Sequence, residues 1–181
     1  MAETLTPQDL SAEGASAYAA KRYEEAAAAF ERAALAFHAT GDEVNAAEAA
    51  NNASVASLLA GNPKKALQLA DGTDQVFLSR GDVHRQGIAL ANQAAALEAL
   101  NRLKEALERY KSASDLLKQS GDKEKRAMVL GIISSLQLRT GNQLQALASM
   151  DAALDQKKKL SLKERLLQKL LKVPFDFMNR K

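Results

Sequence analysis

Histidine and cysteine are the side chains most often used for acid–base, metal and thiol chemistry, and this chain has few of them. It contains two histidines, His38 and His84, and no cysteine among its 181 residues. The absence of cysteine excludes disulfides, cysteine zinc sites, iron–sulfur ligation and thiol catalysis. No nucleophile or carboxylate cluster recurs around either histidine, and no phosphate-binding or metalloprotease motif is present. The sequence therefore predicts a protein that is not an enzyme and uses no metal or other cofactor.

The overall composition favours helices over strands. Hydrophobic residues make up 46% of the chain, too large a fraction for a disordered protein. Only 3 prolines and 9 glycines are present, which disfavours a β-sandwich with many turns. No segment approaches the roughly 18 continuous apolar residues of a membrane span, and the first ten residues, MAETLTPQDL, lack a basic-then-apolar signal pattern. We expect a mostly helical protein located in the cytoplasm.

The charge is unevenly distributed along the chain. The net charge is +3, but residues 1–60 hold 9 acids and 3 bases, whereas residues 121–181 hold 6 acids and 13 bases. The net charge is thus −6 over residues 1–60 and +7 over residues 121–181. Such asymmetry orients a protein toward charged partners.

The elements that would position any binding residues follow a 40-residue repeat. A glycine–aspartate pair recurs at this spacing, at Gly41-Asp42, Gly81-Asp82 and Gly121-Asp122. Segments of 20 residues beginning at positions 21, 61, 101 and 141 align without a gap, and one column holds only alanine: Ala26, Ala66, Ala106 and Ala146. An ungapped fourfold register indicates a repeat protein.

Each period contains two helical patterns. In the third period, apolar residues from Leu103 to Leu117 follow the i, i+3, i+4, i+7 spacing of an amphipathic helix. The recurring glycines and asparagines are typical helix stops, and the aspartate after each glycine can cap the next helix. We therefore predict a series of helix–turn–helix units. Gly72 and Thr73 are expected to interrupt the second helix of the second unit.

These columns resemble the tetratricopeptide repeat, in the 40-residue variant found in kinesin light chain and many bacterial regulators. The resemblance covers about residues 7–160, and its small-residue column is Gly14, Ser54, Ala94 and Ser134. It implies an all-α fold, a right-handed α-solenoid of about four helix–turn–helix repeats with a C-terminal capping helix. We expect one domain over residues 1–181, with repeats at about 7–40, 47–80, 87–120 and 127–160, a capping helix at 161–173 and a tail at 174–181.

The resemblance also implies that the first helix of each pair lines a concave groove. Asn52 and Asn92 share a column in which related repeats often present asparagine to a peptide backbone, since an amide both donates and accepts hydrogen bonds. Around this column we place the other candidate partner-binding residues: Glu48, Val55, Leu59, Ile88, Ala95, Met128, Ser135 and Arg139. The alternative is that the two asparagines face solvent or make hydrogen bonds between repeats.

The C-terminal segment is the second candidate binding region. Residues 157–181 hold 9 bases and 2 acids. They also contain an apolar stripe formed by five leucines: Leu162, Leu166, Leu167, Leu170 and Leu171. The bases placed around this stripe are Lys163, Arg165, Lys169 and Lys172, and Pro174 is expected to end the helix. The segment is interpreted as a capping helix, or else as a basic amphipathic anchor for an anionic membrane or an acidic partner. Nucleic acid is disfavoured, because the basic run is short and aromatic residues are few.

Two functional hypotheses follow. The first is a non-catalytic adaptor that holds a peptide or helix of another protein in its groove. The second is an accessory or assembly subunit, docked to a membrane surface or a larger complex by its basic C-terminal helix. Homo-oligomers formed through exposed helix faces remain open, and the sequence does not identify the partner.

Overall fold

The computed structural model describes residues 5–178, with side chains described for residues 5–171. All regular structure within this range is α-helical, as predicted. Ten helices follow one another along it: α1 (Pro7–Ala19), α2 (Tyr23–Ala39), α3 (Glu43–Leu59), α4 (Pro63–Ala70), α5 (Thr73–Ser79), α6 (Val83–Ala99), α7 (Leu103–Gln119), α8 (Lys123–Arg139), α9 (Gln143–Asp155) and α10 (Leu162–Met178).

The glycine–aspartate pairs set the boundaries between helix pairs. Gly41, Gly81 and Gly121 adopt left-handed backbone angles, with φ of 78°, 67° and 79°, and so end the preceding helices. The aspartate that follows each glycine accepts a hydrogen bond from the backbone N–H three residues later, at 3.2, 2.9 and 2.9 Å respectively. The predicted role of these residues as stops and caps is confirmed.

The same caps correct the predicted repeat boundaries. The second, third and fourth helix pairs begin at Glu43, Val83 and Lys123, four residues before the expected starts at 47, 87 and 127. The physical reason is that the capping aspartate allows helical geometry to begin at the residue directly after it. The first pair begins at Pro7, as predicted.

Small residues let the helices of each pair approach closely, which produces an α-solenoid. The four alanines of the repeated column are at most 1% exposed. Ser54 and Ser134, both in the small-residue column, donate hydrogen bonds of 2.7 and 2.8 Å to the backbone carbonyl oxygens of Ala66 and Ala146. The second and fourth pairs are therefore joined by the same serine-to-carbonyl bond, 80 residues apart.

The second repeat departs from the others where it was expected to. Gly72, with φ of 72°, separates α4 from α5. The side-chain amide of Gln93 in α6 donates to the carbonyl oxygen of Ala70, at 2.9 Å, and to Oδ1 of Asp74, at 2.8 Å. Gln93 and Asp74 are both buried, so the next repeat satisfies the polar groups that the break exposes.

The C-terminal helix packs against α9 and buries Leu171, which is 5% exposed. Its length differs from the prediction, because α10 continues past Pro174 to Met178. A proline removes one hydrogen bond from the helical ladder but does not oblige the chain to leave the helix. Residues 174–178 are thus helical, and the rest of the predicted tail, 179–181, lies outside the described residues.

Candidate protein-binding surface

The first helices of the four pairs, α1, α3, α6 and α8, form one surface, which we call the first-helix face. Hydrogen bonds between side chains connect adjacent helices of this face. Arg85 in α6 contacts Glu48 in α3, with 3.0 Å between Nη1 and Oε2. Arg139 in α8 contacts Glu98 in α6, with 2.6 Å between Nη1 and Oε1. These pairs link neighbouring repeats, so two predicted groove residues, Glu48 and Arg139, also join the solenoid together.

The two candidate asparagines occupy different environments. The Asn92 amide donates a hydrogen bond of 3.2 Å to Oδ1 of Asn51, a buried residue of the preceding first helix. The Asn52 side chain is exposed and has no hydrogen-bond partner among the described residues. Asn92 therefore makes an inter-repeat hydrogen bond, which was the alternative interpretation, whereas Asn52 is exposed.

A first cleft lies between α1 and α3. It has a volume of about 450 Å³ and contains two of the predicted residues, Asn52 and Val55. Phe30 from α2 forms part of its lining, together with Ser11, Ala15 and Tyr18 of α1.

A second cleft lies between α6 and α8. It has a volume of about 330 Å³ and an apolar lining that includes four predicted residues: Ile88, Asn92, Ala95 and Met128. Tyr110 of α7 also lines this cleft. The Tyr110 hydroxyl donates a hydrogen bond of 3.4 Å to the Glu98 carboxylate. Burial, with a smaller contribution from the Glu98 carboxylate, raises the pKa of Tyr110 well above its ordinary value. The hydroxyl therefore stays protonated at physiological pH.

Sequence reasoning missed a third cleft, between α8 and the linker after α9. Its volume is about 600 Å³, and its lining includes Lys123, Gly131 and the linker residues 156–159. Met128 lines both this cleft and the second one. The lysine run at 157–159 was visible in the sequence, but its position beside α8 depends on how the chain turns after α9. The two clefts therefore lie on either side of the same methionine.

The remaining candidate residues lie on the same helices but outside these three clefts. Leu59 is 48% exposed, and Ser135 is also exposed. Sequence reasoning missed Arg85, Glu98 and Asn51, because a residue column shows which helix face a side chain occupies but not its partner.

The C-terminal helix exposes most of its candidate residues. Lys163, Arg165 and Lys169 are exposed, and the side chain of Lys172 lies outside the described residues. Glu164, at the start of the helix, accepts bonds from the Lys157 ammonium, at 2.5 Å, and from the Ser161 backbone, at 2.8 Å. The Lys157 contact first, and the Ser161 bonds next, lower the pKa of Glu164 to about 2.

Each of the two histidines lies beside one carboxylate. His38 lies 2.8 Å from Glu43, and His84 lies 3.0 Å from Asp122, the residue that caps the next first helix, α8. Across the described part of the chain, no group of three or more acidic or histidine side chains is arranged to hold a metal ion. Among the same residues, no helix is long and apolar enough to cross a membrane.

Comparison with known proteins identifies a family. The model of a family described as "SNAP: Soluble NSF attachment protein, SNAP" matches residues 6–173, nearly the whole chain. This family has an α-solenoid repeat fold, so the prediction of a helical repeat protein is confirmed. A search of curated proteins finds no match.

Proposed function

The chain belongs to the soluble NSF attachment protein family, and from that premise we propose that it is a non-catalytic adaptor whose first-helix face holds a peptide or helix of a partner protein. The family is one of helical repeat adaptors that bind other proteins. We propose in addition that this chain binds its partner on the first-helix face, as a peptide or a helix.

The observation that carries the proposal is the exposure of Met128. Its side chain is 65% exposed, although it lines both the apolar α6–α8 cleft and the lysine-rich cleft beside the linker after α9. Methionine is flexible and polarizable, and it is enriched where proteins bind other proteins. An exposed methionine that lines two neighbouring clefts fits an apolar anchor residue of a partner.

The dimensions and lining of the α6–α8 cleft support a helical or extended ligand. At about 330 Å³ it can receive one or two apolar side chains, and Ile88, Ala95 and Met128 offer them apolar contact. The α1–α3 cleft, which lies two first helices away, adds a second anchor position beside Asn52. Two anchor positions along a row of helices match helix-in-groove recognition, in which apolar side chains on one helical face enter successive pockets.

The polar residues of the face provide orientation. Asn52 has both a donor and an acceptor available to a peptide backbone. Glu48 and Arg139 are held by their partners Arg85 and Glu98 and present fixed charges at the edges of the face. We propose that these pairs restrict the register of the bound segment, because charges fixed by a partner lose little entropy when a ligand binds.

We assign the repeats to the 40-residue tetratricopeptide-like variant, supported by first helices that begin at residues 43, 83 and 123. We place the protein in the cytoplasm, and this remains a prediction from sequence.

The test uses a displayed peptide library selected on the full chain. Peptides that bind are measured by calorimetry against wild type, Met128→Glu and Leu35→Glu. Leu35 is 70% exposed on α2, so its replacement is a matched control on a second helix. We expect Met128→Glu to weaken binding at least tenfold and Leu35→Glu to leave it unchanged. Selected peptides that bind both variants as tightly as wild type would contradict the proposal.

A further inference from the structure

The C-terminal helix presents an unusual row of exposed leucines. Leu162, Leu166 and Leu170 are 84%, 60% and 59% exposed, and Leu167 is 39% exposed. The first three follow each other at intervals of four residues, so they lie along one side of α10. Leu171, by contrast, is buried against the solenoid. The helix therefore packs Leu171 on the solenoid, has Leu167 at the border of this contact, and leaves three leucines on its outer side.

Polar contacts fix the orientation of this row. Ser161 and Glu164 form a reciprocal cap at the start of α10, and Lys157 bonds to the same carboxylate at 2.5 Å. Gln168 donates a hydrogen bond of 2.5 Å to Asp155 at the end of α9. The first set of bonds fixes the start of α10, and the Gln168–Asp155 bond holds its inner side on α9, so Leu162, Leu166 and Leu170 remain on the outer side.

Basic side chains accompany the leucines. Lys163, Arg165 and Lys169 are exposed on α10, and Lys158 and Lys159 are exposed in the linker before it. Residues 157–181 carry 9 bases and 2 acids in total. A helix that combines an apolar stripe with an excess of lysine and arginine lies in the interface of an anionic bilayer, with its leucines in the acyl boundary and its bases at the headgroups.

We infer that α10 is a docking element for an anionic lipid surface. Its three outer leucines form a ridge along one helix and not a groove, and such a ridge can enter the interface of a bilayer. Docking of a second copy of α10 is opposed by the repulsion between two strongly basic segments. This inference is independent of the first-helix face, because the two surfaces use different residues.

The experiment is flotation of the full chain with lipid vesicles. One set contains phosphatidylcholine alone, and the other contains phosphatidylcholine with about one third phosphatidylserine. We expect binding to the anionic vesicles that falls as salt is raised. Removing three charges in K163Q/R165Q/K169Q should weaken binding about a hundredfold, at roughly fivefold per basic residue. Removing two leucines in L166S/L170S should weaken it at least tenfold.

Matched controls separate the docking element from general surface effects. The double variant L35S/L78S removes two leucines that are 70% and 52% exposed on other helices. The triple variant K104Q/R109Q/K118Q removes three exposed bases from α7. Both controls should bind vesicles as wild type does, and circular dichroism should show that all four variants are folded.

Three results would overturn the inference. The first is a wild-type protein that does not bind anionic vesicles. The second is vesicle binding that the α10 variants leave unchanged. The third is a wild-type dimer in sedimentation velocity, or a complex with an acidic protein, that L166S/L170S abolishes without any vesicle binding. That last outcome would assign the leucines to a protein contact.

Discussion

The side-chain amide of Asn92 donates a hydrogen bond to Oδ1 of Asn51, with 3.2 Å between the two atoms, across the boundary of two helix pairs. Asn51 is buried, and its own amide donates to the carbonyl oxygen of Ala47 at 3.2 Å. Its Oδ1 therefore depends on Asn92. The bond joins α3 to α6, and Asn92 also lines a cleft of the surface that we propose to bind a partner.

Alanine substitution should affect stability differently at Asn52 and at Asn92, the two asparagines of the repeated column. Asn92→Ala leaves the buried Asn51 oxygen without its donor and should lower the free energy of unfolding by about 1–3 kcal/mol. Asn52→Ala removes an exposed side chain and should change stability by less than about 0.5 kcal/mol, while weakening peptide binding. Urea denaturation measures both values. Equal losses of stability in the two variants would argue against the inter-repeat role of Asn92.

Replacing glycine by alanine at two helical positions should change the free energy of unfolding in opposite directions. A Cβ at Gly14 would lie 2.8 Å from the Phe30 ring, which is itself buried, whereas a Cβ at Gly131 would meet nothing within 4 Å. Gly14→Ala should therefore destabilise the protein by about 1–3 kcal/mol through overpacking. Gly131→Ala should stabilise it by about 0.5–1 kcal/mol, because alanine is the better helix former. Thermal or urea unfolding of the pair checks the signs, and a stabilised Gly14→Ala variant would contradict the close packing on Phe30.

The hydrogen bonds from Gln93 to the break between α4 and α5 should contribute to the stability of the protein. Gln93→Leu removes both donors to the break and leaves Oδ1 of the buried Asp74 without the hydrogen bond from Gln93. We expect a loss of about 2 kcal/mol in the free energy of unfolding. Gln68→Leu, at an exposed position of α4, is the matched control and should have little effect. If the two variants unfold at the same urea concentration, the hydrogen bonds across the break contribute nothing to stability.

Stability should depend on pH through Asp122. The Lys125 backbone N–H is the largest cause of a pKa that lies far below the usual range, followed by the Lys125 ammonium and, more weakly, His84. The pKa of Asp122 is lower in the folded protein than in the unfolded chain, where it is about 4. The ionised Asp122 therefore stabilises the fold fully above that pH, and this stabilisation is lost as the pH falls below it.

The Asp122→Asn variant tests this dependence, since asparagine can still cap the helix. It should be less stable than wild type by about 0.5–1 kcal/mol at pH 7, and the difference should shrink as the pH is lowered from 5 to 3. Asp115→Asn, at an exposed position, is the control. A difference between wild type and Asp122→Asn that stays constant over this range would contradict the prediction.

Much of the fold could be predicted because local rules repeat every 40 residues. Glycine in the left-handed conformation, aspartate caps and the buried alanine column each leave a direct trace in the sequence. The continuation of α10 past Pro174 could not be predicted in this way, because local preference favours a helix end before proline.

The candidate surface was less predictable. Repeat columns placed Ile88, Asn92 and Ala95 on the correct helix, and they line one cleft. The columns could not show that Asn92 binds Asn51, or that the lysine linker lies beside Met128. Both relationships depend on the packing of one repeat on the next, which sequence spacing alone does not encode.

The central claim is that the first-helix face binds a peptide, and methyl NMR tests it most directly. The chain has four methionines, and labelling their methyl groups reports on Met128 in the clefts and on Met150 in α9. A Met128→Leu variant assigns the Met128 signal. When a library-selected peptide is added, we predict that the Met128 signal shifts in proportion to bound peptide while the Met150 signal stays in place. A bound peptide that leaves the Met128 signal unchanged would contradict the claim.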